Sequence, residues 1–270
     1  MKTKIVILGS TGLLGNAVGK YFLSKNVYET YPSYLCKDYS YGDNSFYFDA
    51  LVDSNLNYIP ECDFVINCIG IIKPYIKNCI KNSIKVNSLF PHNLSSYCET
   101  RGYKLIHIST DCVYSGLSGD YNENSPHDCL DEYGKTKSLG EPKNCMILRT
   151  SIIGEEIHGF SSLVSWAKQM SGQKINGYTN HIWNGITTKQ YADICDQIIR
   201  LGYYYNGTYH VFSDKHSKYE MLEKFNSKWN LGLDITPVET NPKCNRSLST
   251  EKFLNSNLSI PTLEDMLRDI

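Results

Sequence analysis

At 270 residues with a formal net charge of −1, the chain is long enough for one large α/β domain or a domain carrying a smaller lobe, and its mixed charge offers no electrostatic footprint for nucleic acid or an anionic membrane. Its apolar runs are far too short to cross a bilayer, and the run at residues 5–8 is too short for the core of a secretion signal. The ten cysteines contain no C-x-x-C pair, so no metal site is expected, and scattered thiols without an export signal predict a reduced, cytoplasmic protein.

In chain order, Lys4-Ile5-Val6-Ile7-Leu8 reads as a buried strand. It runs into Gly9-Ser10-Thr11-Gly12-Leu13-Leu14-Gly15, after which Leu14, Val18 and Phe22 recur at helical spacing. Strand, glycine-rich turn and helix is the setting a dinucleotide fingerprint requires. Gly9 permits the tight turn, Gly12 lets the backbone approach a pyrophosphate, and Gly15 lets the helix pack on the strand. The free N–H groups and positive dipole end of that helix then face the phosphates. The spacing is G-x-x-G-x-x-G, and an ordinary glycine-rich turn reads the same way locally.

Residues 27–31 and 46–48 predict the second and third strands, and 63–70 a buried strand closing on a small residue. A long helical segment spans 81–99, broken near Pro91. Strands follow at 104–110 and 146–149, then helices at 161–170, 189–201 and 218–229. This alternation predicts an α/β, Rossmann-type doubly wound parallel sheet covered by helices on both faces. The dinucleotide-binding domain is expected at 1–154 and a smaller mixed α/β substrate-binding lobe at 155–270.

Tyr133-Gly134-Lys135-Thr136-Lys137 places a phenol and an ammonium on one face of a helix, a turn apart. A neighbouring Lys charge lowers a Tyr pKa from its usual value near ~10 by stabilising the phenolate. A solvated helix face has the same spacing.

Together, Gly9 to Gly15, Ser109-Thr110, Tyr133-x-x-x-Lys137 with Gly140-Glu141, and Leu148-Arg149-Thr150-Ser151 resemble an extended short-chain dehydrogenase/reductase. The block Ser109-Thr110-Asp111-Cys112-Val113-Tyr114-Ser115-Gly116, followed by Tyr121-x-Glu123 and Tyr133, is similar to the dTDP-4-dehydrorhamnose reductase branch, which acts on nucleotide-activated sugars. Asn245-Arg246-Ser247-Leu248 resembles that branch's Arg-containing substrate-lobe motif. The resemblance runs nearly full length and is strongest over residues 1–154.

The resemblance implies that a nicotinamide delivers hydride to the C4 ketone of a nucleotide-activated 4-keto-6-deoxy sugar. Tyr133 would be the general acid. Lys137 would lower its pKa and hold the nicotinamide ribose, and Thr110 would hydrogen-bond the carbonyl oxygen as charge develops. Thr110 ends its strand, where doubly wound sheets place ligands; a plain strand-end cap is its alternative. Asp49-Ala50 resembles the family's adenine-binding Asp. Cys68, Ile69 and Gly70 would line ring and ribose, and Asn87 matches a recurring Asn of the next helix. Asp49 as a helix N-cap and Gly70 as a turn residue are the alternatives. A ribose-binding carboxylate is expected ~20 residues past the fingerprint. Thr30-Tyr31-Pro32-Ser33 contains none; Glu29 and Asp38 flank it and Lys37 could meet a 2′-phosphate, which favours NADP(H) over NAD(H).

One departure narrows the reaction. Sugar 4,6-dehydratases of the superfamily carry Asp-Glu after the catalytic Thr, whereas this chain has Asp111-Cys112 and lacks the base that elimination needs. Epimerase-reductases that make GDP-fucose carry a Cys two residues after the corresponding hydroxyl residue, and it exchanges protons beside the ketone with a His partner. Cys112 is a candidate for that role if its pKa approaches neutrality, with His158 or His181 as partner; a buried strand-end Cys is the alternative. Arg246 could pair with a diphosphate, and Trp183-Asn184 could line sugar or base. A dTDP-4-dehydrorhamnose and a UDP-linked 2-acetamido-2,6-dideoxy sugar are both compatible substrates. Two other readings remain open: a non-catalytic dinucleotide-binding regulatory subunit, whose known examples tend to lose the Tyr or Lys present here, and a sugar-nucleotide epimerase without net reduction. A homodimer through the helices flanking the central strands is common in the superfamily.

Overall fold

Ile5 and Ile7 point to one face of the first strand and Val6 and Leu8 to the other, and all four are fully buried. A strand apolar on both faces needs a layer on each side, which is the condition of a parallel sheet inside an α/β fold. The structure, a computed structural model, describes residues 1–37, 41–156 and 162–270. Strand β1 (Thr3–Leu8) leads through the glycine-rich turn into α1 (Leu13–Leu23), and β2 (Tyr28–Tyr34), β3 (Phe46–Tyr47) and β4 (Phe64–Asn67) follow. Then come α2 (Lys73–Ile76), α3 (Ile80–Ile84), α4 (Phe90–Arg101), β5 (Lys104–Thr110), α5 (Glu132–Leu139) and β6 (Met146–Thr150).

The helical segment expected to break near Pro91 does not break. Between α3 and α4 it passes through a π turn, Lys85–Leu89, with Pro91 in the first turn of α4. Proline lacks the N–H that would bond the carbonyl of Asn87, four residues back, and its ring crowds that carbonyl. A wider turn accommodates both problems. The freed Asn87 carbonyl is met by Gly140, where a Cβ would stand 1.8 Å from it.

Beyond β6 the chain forms β7 (Ile152–Ile153), α6 (Leu163–Gln169), β8 (Lys174–Tyr178), β9 (His181–Trp183), β10 (Ile186–Thr187) and α7 (Thr188–Leu201). It continues through β11 (Gly207–His210), β12 (His216–Ser217), α8 (Lys218–Trp229), β13 (Asp234–Val238), β14 (Cys244–Asn245), α9 (Leu254–Asn257) and α10 (Leu263–Arg268). The central sheet has seven strands in the order β3-β2-β1-β4-β5-β6-β11, all parallel. Ile5, Ile7 and Leu148 pack with α1 and α7 through Val18, Phe22, Tyr191 and Ile198. Val6, Leu8 and Ile147 pack on the opposite face with Leu94 and Cys98 of α4.

A third core, with Val164, Trp183, Phe225 and Leu263, lies in the C-terminal region. The division expected at residue 154 is crossed by the chain, however. Helix α7 covers the main sheet, with Tyr21 of α1 donating to Asp193 at 2.9 Å, and β11 completes that sheet beside β6. The cause is burial: β6 is buried on both faces and needs an outer neighbour.

Candidate active site

The glycine-rich turn is shaped by close approach. Gly9 has φ +84°, and a Cβ there would stand 2.9 Å from Ile69. At Gly15 a Cβ would fall 2.1 Å from the Gly9 carbonyl oxygen, so only glycine lets α1 sit on the turn. Gly12 is the N-cap of α1, and that helix begins with no side-chain cap and no acidic residue in its first turn. Thr11, Gly12, Leu13 and Leu14 line a cavity of about 740 Å³, whose remaining wall includes Cys68, Ile69 and Gly70. Gly9, Ser10 and Gly15 stand behind that lining; the buried Ser10 hydroxyl donates to the Ile7 carbonyl at 3.0 Å. Uncapped N–H groups and a positive dipole end facing an open cradle fit a pyrophosphate.

At the end of β2, Ser33 Oγ accepts from the Gly9 N–H at 2.9 Å. Glu29 is opposite Lys4, at the far end of the strand from the turn, and its carboxylate accepts from the Tyr31 hydroxyl. Lys37 is exposed beyond β2, and Asp38 falls outside the described residues.

Helix α5 carries Tyr133 and Lys137. Its N-cap Asp131 accepts from the Gly134 N–H at 2.9 Å. A Cβ on Gly134 would stand 2.3 Å from the Cys112 carbonyl, so glycine between Tyr133 and Lys135 lets the helix lie on the turn after β5. That seating puts Tyr133 in hydrogen-bonding contact with Thr110 and sends Lys137 Nζ to the Ile108 carbonyl at 3.0 Å. Thr110, Cys112, Tyr133 and Lys137 all line the same cavity as the glycine-rich turn. Lys135 is exposed and Lys137 buried, as the helical spacing requires. Thr110 is also a cap: its oxygen accepts from the Cys112 N–H and its hydroxyl donates to Asp111, both at 3.1 Å.

The electrostatics depart from expectation. Burial raises the Tyr133 pKa, with Cys112 adding to it and the Thr110 hydrogen bond opposing. Desolvation of a phenolate outweighs the lowering expected from Lys137, whose ammonium is turned to a backbone carbonyl. Lys137 itself is pushed down to about 8 by burial, against the pull of Glu141. Burial, then the Asp111 carboxyl, push the Cys112 thiol up to about 12, away from the neutral range that proton exchange requires.

Several expected contacts are supporting parts. Asn87 is buried behind the cavity wall, its amide accepting from the Ile71 N–H at 2.8 Å and donating to the Ile71 carbonyl at 2.9 Å and Thr136 Oγ1 at 3.2 Å. Asp49 accepts from the Leu51 N–H at 2.8 Å, forming its own turn, and Ala50 is in the core beside α4; neither lines the cavity. Asn184 bonds the backbone of Leu248, donating at 2.8 Å and accepting at 2.9 Å, and is not part of the cavity lining. Arg246 donates to the Tyr114 and Ser115 carbonyls at 2.9 and 3.3 Å. Trp183 does line the cavity. His181 lies outside the lining, its Nε2 2.7 Å from Thr240 Oγ1, and His158 falls outside the described residues.

Two lining cations were missed by sequence reasoning, Lys73 and Lys218. Ser217-x-x-Glu220 is a legible capping box that marks the start of α8. The pairing of β12 with β9, which brings that start beside Trp183, is not local. Among the described residues no group of three or more His, Cys, Asp or Glu side chains could hold a metal, and no helix is long and apolar enough to cross a membrane.

Among curated proteins the chain is similar to methionine adenosyltransferase 2 subunit beta of Bos taurus, 26% identical over 285 residues, covering 97% of this chain and 82% of that one. It is also similar to the probable low-salt glycan biosynthesis reductase Agl14 of Haloferax volcanii, 27% identical over 168 residues, covering 57% of this chain and 55% of that one. Among solved structures, dTDP-4-dehydrorhamnose reductase from Bacillus anthracis str. Ames in complex with NADP superposes with a TM-score of 0.80 at 22% identity, covering 100% and 98% of the two chains, a likeness of fold. The family model described as RmlD substrate binding domain matches residues 3–267, and the chain belongs to that family, within the extended short-chain dehydrogenases/reductases.

Proposed function

We propose that this protein is an NAD(P)H-dependent reductase of the C4 ketone of a nucleotide-activated 4-keto-6-deoxy sugar. The observation that carries the reading is the convergence of Thr110, Tyr133 and Lys137 in one cavity that the glycine-rich turn also lines. Residues 11–14 and 68–70, with Lys137, would hold a dinucleotide. When bound, that group supplies a hydride. Thr110 offers its hydroxyl to the substrate's carbonyl oxygen, steadying the charge that develops there. Tyr133 carries its proton at neutral pH, burial holding its pKa above the ordinary tyrosine value, and it transfers that proton to the C4 oxygen. Lys137, on the same helix face, is the cation available to the phenolate left behind. The absence of a carboxylate at the C-terminal end of β2 among the described residues, with Ser33 there and Lys37 beyond, favours NADP(H).

Purified protein with NADPH or NADH and a panel of dTDP-, UDP-, GDP- and CDP-linked 4-keto-6-deoxy sugars tests the reading by oxidation of the cofactor. Tyr133→Phe is expected to lower turnover roughly 10²- to 10⁴-fold; near-normal turnover would remove Tyr133 from its role. The raised Cys112 thiol favours reduction without epimerisation. Solvent deuterium is then expected to stay out of C3 and C5 of the product, and label that vanishes in Cys112→Ser would reverse this.

A second reading draws on the near-full-length likeness to methionine adenosyltransferase 2 subunit beta, namely that the chain is a dinucleotide-binding subunit of another enzyme. The intact Thr110, Tyr133 and Lys137 favour catalysis. A stable co-purifying enzyme, with no cofactor oxidation on any keto-sugar, would favour the subunit.

A further inference from the structure

The glycine-rich turn is braced by a residue of the next loop that does not itself line the cavity. Tyr41, between β2 and β3, lies on α1 at Gly19, where a Cβ would stand in ordinary contact, 3.8 Å from the tyrosine Cζ. Its hydroxyl is used twice. It donates to the Ser10 carbonyl at 3.0 Å and accepts from the Asn16 side-chain amide. Because the amide of Asn16 supplies the donor to that oxygen, the single phenolic proton is committed to Ser10. The backbone of Tyr41 is fixed as well. Its N–H donates to Ser45 Oγ at 2.8 Å, and the Ser45 N–H closes on the Gly42 carbonyl at 3.0 Å. Gly42 has φ +98°, a conformation that favours glycine, so a short turn built for the purpose aims the ring.

The Ser10 carbonyl is one side of a peptide whose other side is the Thr11 N–H. In a planar trans peptide these two groups point in opposite directions. With the carbonyl turned to Tyr41, the Thr11 N–H is turned away from it, and Thr11 lines the cavity. Two other N–H groups of the turn are committed: Gly9 donates to Ser33 Oγ at 2.9 Å and Gly12 to the Gly9 carbonyl at 3.0 Å. The Thr11 N–H meets no acceptor among the described residues. A free N–H beside the uncapped start of α1 is a donor for an anion. If the Ser10 carbonyl were not pinned, rotation of this peptide would turn an oxygen toward the phosphates in place of the N–H.

We propose that Tyr41 is a positioning residue for the dinucleotide, its hydroxyl holding the Ser10–Thr11 peptide in the orientation that gives the Thr11 N–H to the pyrophosphate. The inference rests on the dinucleotide-binding part of the reductase reading. It assigns the effect of Tyr41 to the pyrophosphate that NADPH and NADH share, and not to the ribose 2′ position that tells them apart.

Titration calorimetry with NADPH and NADH, together with ¹H–¹⁵N spectra of the free protein, tests this without requiring turnover. Tyr41→Phe keeps the ring on α1 and removes only the hydroxyl. It is expected to bind both dinucleotides about 3- to 10-fold more weakly than wild type, by the same factor for each, and to shift the Thr11 amide resonance. Asn16→Ala is expected to give a smaller loss in the same direction. The double variant is expected to bind no more weakly than Tyr41→Phe alone, because both substitutions act on one chain of hydrogen bonds. A general loss of stability would not hold the NADPH-to-NADH ratio constant while moving that one amide. Unchanged affinity in Tyr41→Phe, a loss confined to NADPH, or an unmoved Thr11 resonance would overturn the assignment, as would wild type binding neither dinucleotide. Where wild type binds only one of the two, the loss on that one and the Thr11 shift are read together, and the absence of either overturns it. If Tyr41→Phe fails to fold, Asn16→Ala is read by the same two measurements. A protein whose dinucleotide affinity depends on Tyr41 yet which oxidises no cofactor on any keto-sugar would keep this inference and lose the reductase reading.

Discussion

Lys137 shows how one side chain takes its properties from position. Burial pushes its pKa from 10.5 down to about 8, so the ammonium loses its proton as pH rises through that value. Cofactor affinity that depends on the charged form is expected to fade above pH ~8, and Lys137→Met should remove that basic limb. The same substitution is expected to weaken cofactor binding by about 1.5–3 kcal/mol, roughly 10- to 100-fold. Lys135→Met, on the exposed face, is the control and should be nearly silent; equal damage from both would mean that the Tyr-x-x-x-Lys register is wrong. Gly140 is a second residue whose meaning is spatial. A Cβ there would stand 1.8 Å from the Asn87 carbonyl, so Gly140→Ala is expected to cost at least ~1–3 kcal/mol, read from the urea midpoint at constant slope.

At the scale of elements, the π turn is the least predictable feature and the one that organises the cavity wall. Pro91 frees the Asn87 carbonyl, Gly140 packs on it, and the Asn87 side chain clamps Ile71 and Thr136. The wall at residues 68–75 and helix α5 are thereby tied by one residue. Asn87→Ala leaves the Ile71 N–H and carbonyl without these partners, and a loss of about 1–3 kcal/mol is expected. Looser cofactor binding should accompany it, because Ile69, Gly70 and Ile71 line the cavity; unchanged affinity would confine Asn87 to stability. The residue pattern makes Pro91 visible as a helix breaker. It does not reveal that a neighbouring helix will receive the displaced carbonyl.

At the scale of the molecule, a buried charged joint ties the sheet to its last strand. Arg149 of β6 donates to Glu141 at 3.1 and 2.5 Å, to the Tyr114 hydroxyl at 2.5 Å, and meets His210 of β11 at 2.9 Å and His127 at 2.8 Å. Glu141→Gln leaves the guanidinium without its carboxylate and is expected to cost about 3–5 kcal/mol in thermal or urea unfolding. Burial and Arg149 push His210 down to about 4, while an unfolded His titrates near ~6.5. As pH falls from ~6.5 toward about 4, the unfolded chain takes up a proton that the folded chain refuses, so stability is lost across that window. Glu141, held below the ordinary carboxylate range, adds its loss at lower pH still, as the unfolded chain protonates first. His210→Asn is expected to flatten the upper part of this decline; an unchanged slope would assign it to other groups.

The glycine-rich turn, the parallel sheet and the Tyr133–Lys137 face were legible because each depends on spacing along a few residues: a positive φ at Gly9, alternation in β1, one helical turn in α5. The crossing of residue 154 by α7 and β11 and the partners of Asn87, Asn184 and Arg246 were not legible, because polar side chains look alike until their partners are known, and those partners lie far away in sequence. The sequence by itself determined the local geometry and which chemical groups the chain carries. Tertiary structure alone decided which of those groups face the cavity, how burial shifts their pKa values, and that a lysine at the start of α8 stands beside Asp111 and Cys112, because desolvation and long-range pairing exist only once the chain is packed.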